Sequence, residues 1–393
     1  MKKKIAFVVQ RYGEEVIGGS ESLCRAVAEH LTSFYHVDAL TTCALDYYDW
    51  KNQFAEGLTE CNGVQVHRFR VEGLRQLRRF HKLSNIVYTR PHSIEEERLW
   101  MQYQGPIAPS LHQHLDKTRA RYAAVIFFTY LYPTTVDGIT IAPERSVLVP
   151  TAHDESALYL AIYRPVFHLP KRIFYNTDEE RSLVQRIFQN HDVPSEVVGV
   201  GVDVPAEVVQ EPSSEPFFLY LGRVDIDKGI SELTEWFLNP PFIKKTQLPK
   251  PEAYSLVVAG TPVMKLPHHP RLRLLGEISE EKKTLLLRQC RGLIVPSLYE
   301  SLSLAALEAW AHGKPVIARR NSPVLEGHIS ANSAGLLFED AASLHQALDQ
   351  LSNDLALVQE MGQRGRTYVR HKYSWDRVVK LYRTAIEQLS EGM

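Results

Sequence analysis

The chain is poor in the features that mark a specialised environment. Its four cysteines, Cys24, Cys43, Cys61 and Cys290, are scattered without metal-ligand spacing. That excludes a disulfide framework and a zinc module, and it reads as reduced thiols of a cytosolic protein. Neither sign of charge dominates: Lys and Arg total 45 against 46 Asp and Glu. The chain as a whole therefore has no nucleic-acid footprint. No apolar run approaches the length of a membrane span. The opening Met1-Lys-Lys-Lys-Ile-Ala-Phe-Val-Val-Gln10 begins like a secretory leader. Its apolar run stops at Gln10-Arg11, too short for a leader core, and reads as a first buried strand. The Gly-x-Gly-x-x-Gly fingerprint of dinucleotide sites is missing as well, which argues against a nicotinamide oxidoreductase.

What is present is a regular alternation. With 393 residues, 44% of them hydrophobic and 23% charged, the chain can build two separate cores. Apolar runs alternate with helical patterns, the sign of parallel sheets with crossover helices. In the first half the pattern predicts strands at 5–9, 37–41, 64–68, 124–128, 146–149 and 172–175, and helices at 20–32 and 178–189. The segment 203–216 contains Glu211-Pro-Ser-Ser-Glu-Pro216 and no periodicity, and reads as a linker. A second series follows, with strands at 217–221, 254–259, 271–275, 292–295 and 315–318 and helices at 230–237, 280–289 and 302–312. The tail from Trp375 to Leu389 is helical. The halves are not a sequence repeat. They predict an α/β chain of two doubly wound, Rossmann-like domains, 1–204 and 205–374, with a helical tail over 375–393.

The most informative stretch is Val295-Pro-Ser-Leu-Tyr-Glu300-Ser-Leu-Ser303-Leu-Ala-Ala-Leu-Glu308-Ala-Trp-Ala-His-Gly313-Lys-Pro315. It reads as strand, loop, helix and stop, with Ser301 or Ser303 able to cap the helix and Gly313 and Pro315 ending it. Glu300 lies in the loop and Glu308 inside the helix, with seven residues between them. A carboxylate at the buried edge of a helix needs a partner, and the paired hydroxyls of a ribose would serve. The amides at the helix start suit a phosphate. The plain alternative is a Glu308 that faces solvent and pairs with a Lys or Arg.

Gly222-Arg223-Val-Asp225-Ile-Asp227-Lys228-Gly229 follows an apolar strand and offers a fork and a point charge to a diphosphate. A surface turn with solvated charges fits equally well. Asp225 and Asp227 also form an Asp-x-Asp, a pattern that holds divalent cations elsewhere. Here Arg223 and Lys228 flank it and already supply positive charge, so no metal is expected. Gly18-Gly19-Ser20-Glu21 sits between the first strand and the first helix, where glycine allows a ligand close to the helix start. His153-Asp154 follows a strand end, a usual position for reactive groups in open α/β sheets. Asn176-Thr177-Asp178 reads as a helix cap and nothing more. Between Arg68 and Lys82 lie six cations, Arg68, Arg70, Arg75, Arg78, Arg79 and Lys82, and one acid, Glu72. Interleaved with Leu74, Leu77 and Phe80, they suit an anionic membrane surface or a solvated helix over the first sheet. The segment 85–115 reads as the least regular part of the first domain and a candidate acceptor region.

Together these motifs resemble the retaining glycosyltransferases of the family 4 type, the group 1 glycosyltransferases of the GT-B fold. Glu300-Ser-Leu-Ser-Leu…Glu308-Ala…Gly313-Lys-Pro-Val matches that family's Glu–seven residues–Glu motif and its context. The loop Gly222–Gly229, Gly18-Gly19-Ser20-Glu21, His153-Asp154, Gly201-Val-Asp203, Gly335–Phe338 and Tyr373-Ser-Trp375 fit it in order. Ser303 departs from the family's commoner Gly, and Asp225 and Asp227 are unusual in the phosphate loop. The resemblance implies transfer of a sugar from a nucleotide diphosphate sugar, uridine being the common base, to a saccharide or lipid-linked acceptor, in a setting such as surface polysaccharide assembly. It implies a tail helix that crosses back to the first domain. It implies His153, Arg223, Lys228 and Glu300 as catalytic groups. Gly18, Gly19, Ser301, Leu302, Ser303 and Glu308 would be donor-binding groups, with no cofactor or metal. The expected location is cytoplasmic, with peripheral membrane contact through 68–82 as an option. A sugar-nucleotide epimerase of similar fold and a non-catalytic nucleotide-sugar-binding protein remain the alternatives.

Overall fold

The computed structural model describes residues 2–16, 18–207, 215–240 and 254–391. Residues 208–214 of the segment read as a linker lie outside the described residues. The chain divides into two compact units, Met1–Gly201 with Trp375–Met393, and Val202–Ser374.

The first unit is built on eight strands, Lys4–Val8 (β1), His36–Thr42 (β2), Gly57–Cys61 (β3), Val64–Phe69 (β4), Ala124–Phe128 (β5), Ser146–Val149 (β6), Arg172–Tyr175 (β7) and Ser195–Val197 (β8). Their order is β3-β4-β2-β1-β5-β6-β7-β8. Every pairing is parallel except β3–β4, a hairpin at the sheet edge. The central strands are buried along nearly all their length, which is why they read as apolar runs. The hairpin strand Gly57–Cys61 is exposed along most of its length and has no such run, so the pattern missed it.

The second sheet joins Phe217–Leu221 (β9), Ser255–Ala259 (β10), Leu272–Gly276 (β11), Leu293–Val295 (β12), Val316–Arg319 (β13) and Gly335–Phe338 (β14). All of its pairings are parallel, in the order β11-β10-β9-β12-β13-β14. The direction of winding reverses between β9 and β12. That switch point is where open α/β sheets bind ligands, and the loops leaving these two strands are Gly222–Gly229 and the Glu300 loop.

The helix Trp375–Glu391 completes the first unit. Its Trp375 stacks on His30 at 3.5 Å between ring centroids, and Tyr382 packs edge-on against Phe174 at 4.8 Å. Arg377 donates to the carbonyls of Val198 and Val197 at 3.3 and 3.2 Å. The segment 85–115, expected to be irregular, instead contains the helices Ile94–Gln104 and Pro109–Thr118. The first begins in a full capping box of Ser93 and Glu96, a signal present in the sequence. No helix among the described residues is long and apolar enough to cross a membrane.

Candidate active site

In the second unit the structure brings Lys228 and Glu300 together across 72 positions of sequence. The Lys228 Nζ donates to Glu300 Oε1 at 2.9 Å. Two loops at the switch point make this meeting possible. In the first, Tyr220 donates its hydroxyl to the Arg223 carbonyl at 2.6 Å, and the Asp225 carboxylate accepts the Asp227 amide at 3.4 Å. Asp225 Oδ2 also lies 3.7 Å from Arg223 Nη1. Asp225 therefore caps the short turn Ile226–Lys228. Gly229 follows with φ 71°, and a side-chain carbon there would lie 2.6 Å from the Pro296 carbonyl oxygen. Only glycine lets the two loops close on each other. Among the described residues no group of three or more His, Cys, Asp or Glu side chains is placed to hold a metal ion.

The second loop runs into the helix Leu304–Ala311. Ser303 occupies the cap position, but neither expected serine caps: Ser303 is left-handed at φ 65°, and no side chain accepts from the helix amides. The Ala306 amide donates to the Ser303 carbonyl at 3.1 Å, which leaves the amides of Leu304 and Ala305 for an anion. A non-glycine residue in this conformation is strained and needs support from its surroundings. Support comes from His328, a residue the sequence reading passed over. Its Nε2 lies 3.0 Å from the Leu302 carbonyl and its Nδ1 2.9 Å from the Tyr368 hydroxyl. The Leu302 carbonyl fixes Nε2 as a donor, and with the Tyr368 hydroxyl donating to Nδ1 a neutral ring satisfies both. Burial pushes the His328 pKa down to about 4, against the pull of the Leu302 carbonyl. Leu302 is itself buried, and Ser301 is partly exposed.

Glu308 lies in a recess of the same helix, with 28% of its side chain exposed. It is not solvated alone: Lys283 donates to it at 2.8 Å and sits 2.8 Å from Glu280 as well. Burial raises the Glu308 pKa, and Lys283 draws it back. Lys283 also escaped the sequence reading, because Glu280-Glu-Lys-Lys283 looks like an ordinary solvated helix start. Arg366 donates to the Ala311 carbonyl at 3.1 Å and so holds the far end of the helix.

In the first unit the helix Gly19–Leu31 begins at the predicted glycine pair. Behind the pair, the buried Glu21 carboxylate accepts from Gln10 at 2.8 Å, Arg11 Nε at 2.9 Å and Ser20 at 2.8 Å. A side-chain carbon on Gly18 would collide with that carboxylate. His153 lies on the loop after β6, 32% exposed, with Nε2 3.7 Å from Glu155. Glu155 accepts the Tyr130 hydroxyl at 2.6 Å. Asp154 accepts the Tyr159 hydroxyl at 2.7 Å. Beneath the loop lies Glu180, whose carboxylate accepts the amides of Ala152 at 2.5 Å and Asn176 at 2.6 Å. The Asn176–Glu180 segment therefore does more than cap a helix, although Thr177 does cap, accepting the Glu180 amide at 3.1 Å. A cavity of about 540 Å³ opens beside the loop, walled by Tyr88, Arg90, His92, Asp154, Glu155 and Tyr159.

The basic stretch is not one surface. Arg68 is buried on β4 with its guanidinium 3.9 Å from the Phe54 ring centroid. Arg75 donates to the Tyr47 carbonyl at 2.8 Å and to Gln104 at 2.5 Å. The helix begins only at Leu77. Arg70, Arg78, Arg79 and Lys82 are the exposed cations.

Residues 206–368 match the family described as glycosyl transferases group 1. An uncharacterized glycosyltransferase of Methanocaldococcus jannaschii is 28% identical over 48% of this chain and 52% of its own length. The chain thus spans about half of that relative. Sucrose-phosphate synthase of Thermosynechococcus elongatus superposes with a TM-score of 0.74 at 17% identity, covering 100% of both chains. HepE of Anabaena, solved with UDP and glucose, superposes with a TM-score of 0.65 at 15% identity, covering 99% of this chain and 100% of its own. The fold is that of the GT-B glycosyltransferases. Within that class, this chain is a relative of the group 1 glycosyltransferases, and its second unit carries the matching domain.

Proposed function

We propose that the chain is a retaining glycosyltransferase that moves a sugar from a nucleotide diphosphate sugar to an acceptor hydroxyl. The observation that carries this reading is the Lys228–Glu300 pair at the switch point of the second sheet, beside the uncapped helix start at Ser303. Arg223, Lys228 and the first helix amides offer positive potential where a leaving diphosphate gains charge. Glu300 is assigned to the donor-sugar hydroxyls and Glu308 to the ribose diol. Ser301, Leu302 and Ser303 supply backbone next to the phosphates. Gly18 and Gly19 face the donor by resemblance, and His153 contacts the donor sugar near the reacting carbon.

The acceptor would attack on the face from which the diphosphate departs, with a phosphate oxygen taking its proton. No carboxylate is assigned as nucleophile. Uridine is the favoured base, supported by the UDP that HepE binds. The acceptor is a saccharide or a lipid-linked saccharide, with surface polysaccharide assembly as the setting, and the cavity at Asp154 and Tyr159 as its candidate contact. No metal is required in this reading, so a chelator should leave turnover intact. The protein would act in the cytoplasm, with membrane contact through the exposed cations Arg70, Arg78, Arg79 and Lys82.

The deciding experiment is calorimetric titration of UDP, GDP and ADP into the wild type and Glu308→Ala. Binding of one nucleotide, weakened in the variant, supports the donor site and identifies the base. No binding of any of the three would overturn it.

A further inference from the structure

We propose that Lys283 is a positioning residue for the donor site, holding the Glu308 carboxylate charged and aimed for the ribose diol. The inference rests on the reading of Glu308 as the ribose-binding group and adds the residue that makes this group competent. Its basis is geometric. Lys283 lies in the helix Glu280–Gln289 and Glu308 in the helix Leu304–Ala311, 25 positions apart, yet Nζ and Oε1 are 2.8 Å from each other. The carboxylate is recessed, with 28% of the side chain exposed, so water alone solvates it poorly.

Apart from Lys283, the charges that act on the Glu308 carboxylate are anions. Glu280 stands 2.8 Å from Lys283, and both Glu280 and Asp203 push the Glu308 pKa upward after burial does. His312 directs its Nδ1 to the Glu308 main-chain carbonyl at 2.9 Å rather than to the carboxylate. Its own pKa is lowered by burial first, and by Arg288, Lys283 and Arg366. Lys283 is therefore the cation that counters the burial of Glu308. A carboxylate that accepts two ribose hydroxyls must be ionised, because protonation converts one of its oxygens to a donor. Lys283 contacts a single oxygen, Oε1, in the structure, which leaves lone pairs of the carboxylate for the diol.

The sign of the effect is fixed. Lys283 lowers the Glu308 pKa, so Lys283→Met raises it further and extends the protonated form to higher pH. Below that titration point, nucleotide affinity should fall about tenfold per pH unit, one proton being displaced on binding. It should recover as the pH rises, and Lys283→Arg should restore the wild-type profile.

The test has two readouts on the full chain. Carbon-13 NMR of labelled glutamate, with Glu308→Gln to assign the signal, follows the ionisation of Glu308 without any ligand. Calorimetry with UDP across the pH range in which that titration falls follows its consequence. The expected result is a Glu308 titration displaced to higher pH in Lys283→Met, matched by a pH-dependent loss of UDP affinity. An unchanged Glu308 titration in Lys283→Met would overturn the proposal, as would an affinity loss of equal size at every pH. A displaced titration combined with wild-type affinity in Glu308→Gln would instead overturn the ribose assignment, and the positioning role with it.

Discussion

The Nε2 of His328 stands 3.0 Å from the carbonyl oxygen of Leu302 and ties the strained start of the Glu308 helix to the interior. His328 is buried and neutral, with its pKa pushed down to about 4. A base whose folded pKa is depressed keeps its full contribution to stability above its unfolded pKa of about 6.5 and loses it as the pH falls through the folded value. Urea denaturation of the wild type and His328→Gln should therefore diverge, the wild type losing the His328 share of its stability between pH 6.5 and about 4. In His328→Gln this part of the slope should vanish. Removing the bond altogether in His328→Ala should cost about 1–3 kcal/mol. Unaltered stability in both variants would show that the Leu302 loop is held by other means.

Ser303 carries the left-handed conformation with a side chain that caps nothing. Ser303→Gly removes the steric penalty and should raise stability by about 1 kcal/mol, read from the urea midpoint at constant slope. A destabilised glycine variant would mean that the buried hydroxyl has a partner in solution.

With the roles proposed above, Arg223→Ala and Lys228→Ala should each lower kcat/KM by the equivalent of about 2–4 kcal/mol. Wild-type turnover in either variant would remove that residue from the mechanism.

Glu180 is fully enclosed, and burial pushes its pKa up to about 8 although the amides of Asn176 and Ala152 draw it down. An acid whose folded pKa is raised stabilises fully below its unfolded pKa and loses that contribution as the pH rises through the folded value. The Glu180 contribution should therefore decline from about pH 4.5 to about pH 8, read as the difference in stability between the wild type and Glu180→Gln. The variant should also change the pH profile of turnover, since Glu180 holds the Ala152 amide next to His153. A profile and a denaturation curve that both match the wild type would deny Glu180 this role.

Membrane contact is testable on the exposed cations alone. Arg78→Glu with Lys82→Glu should reduce co-sedimentation with phosphatidylserine-rich vesicles, and added salt should do the same. Arg75 is unsuitable for this test, because its bonds to Tyr47 and Gln104 hold the domain together. A wild type that stays in the supernatant at low salt would settle the stretch as a solvated surface.

What the residue pattern made legible was the part governed by period and punctuation. Buried parallel strands such as Ala124–Phe128 and Phe217–Leu221 show as apolar runs, and the helix Glu280–Gln289 by its place in the alternation between two of them. The Gly222–Gly229 and Glu300–Glu308 loops carry enough context to be placed before any coordinates. What stayed hidden depends on partners far apart in sequence. Lys283 is one lysine in a charged run until the fold sets it against Glu308. His328 is a lone histidine until Leu302 and Tyr368 meet it. Gly57–Cys61 has no inward face to pattern it, and the uneven fate of Arg68 and Arg78 follows from where β4 ends and the next helix begins.

The helix Trp375–Glu391 belongs to the first unit but is synthesised after the whole of the second. On the ribosome, the first sheet must therefore wait, with the surfaces of Phe174 and His30 uncovered, while Val202–Ser374 emerges and folds. The second unit is continuous in sequence and has no such delay. Its assembly should precede completion of the first, so that maturation runs against the order of the domains along the chain. A nascent chain stalled before Trp375 would present a finished second unit on an unfinished first, the species a chaperone would meet.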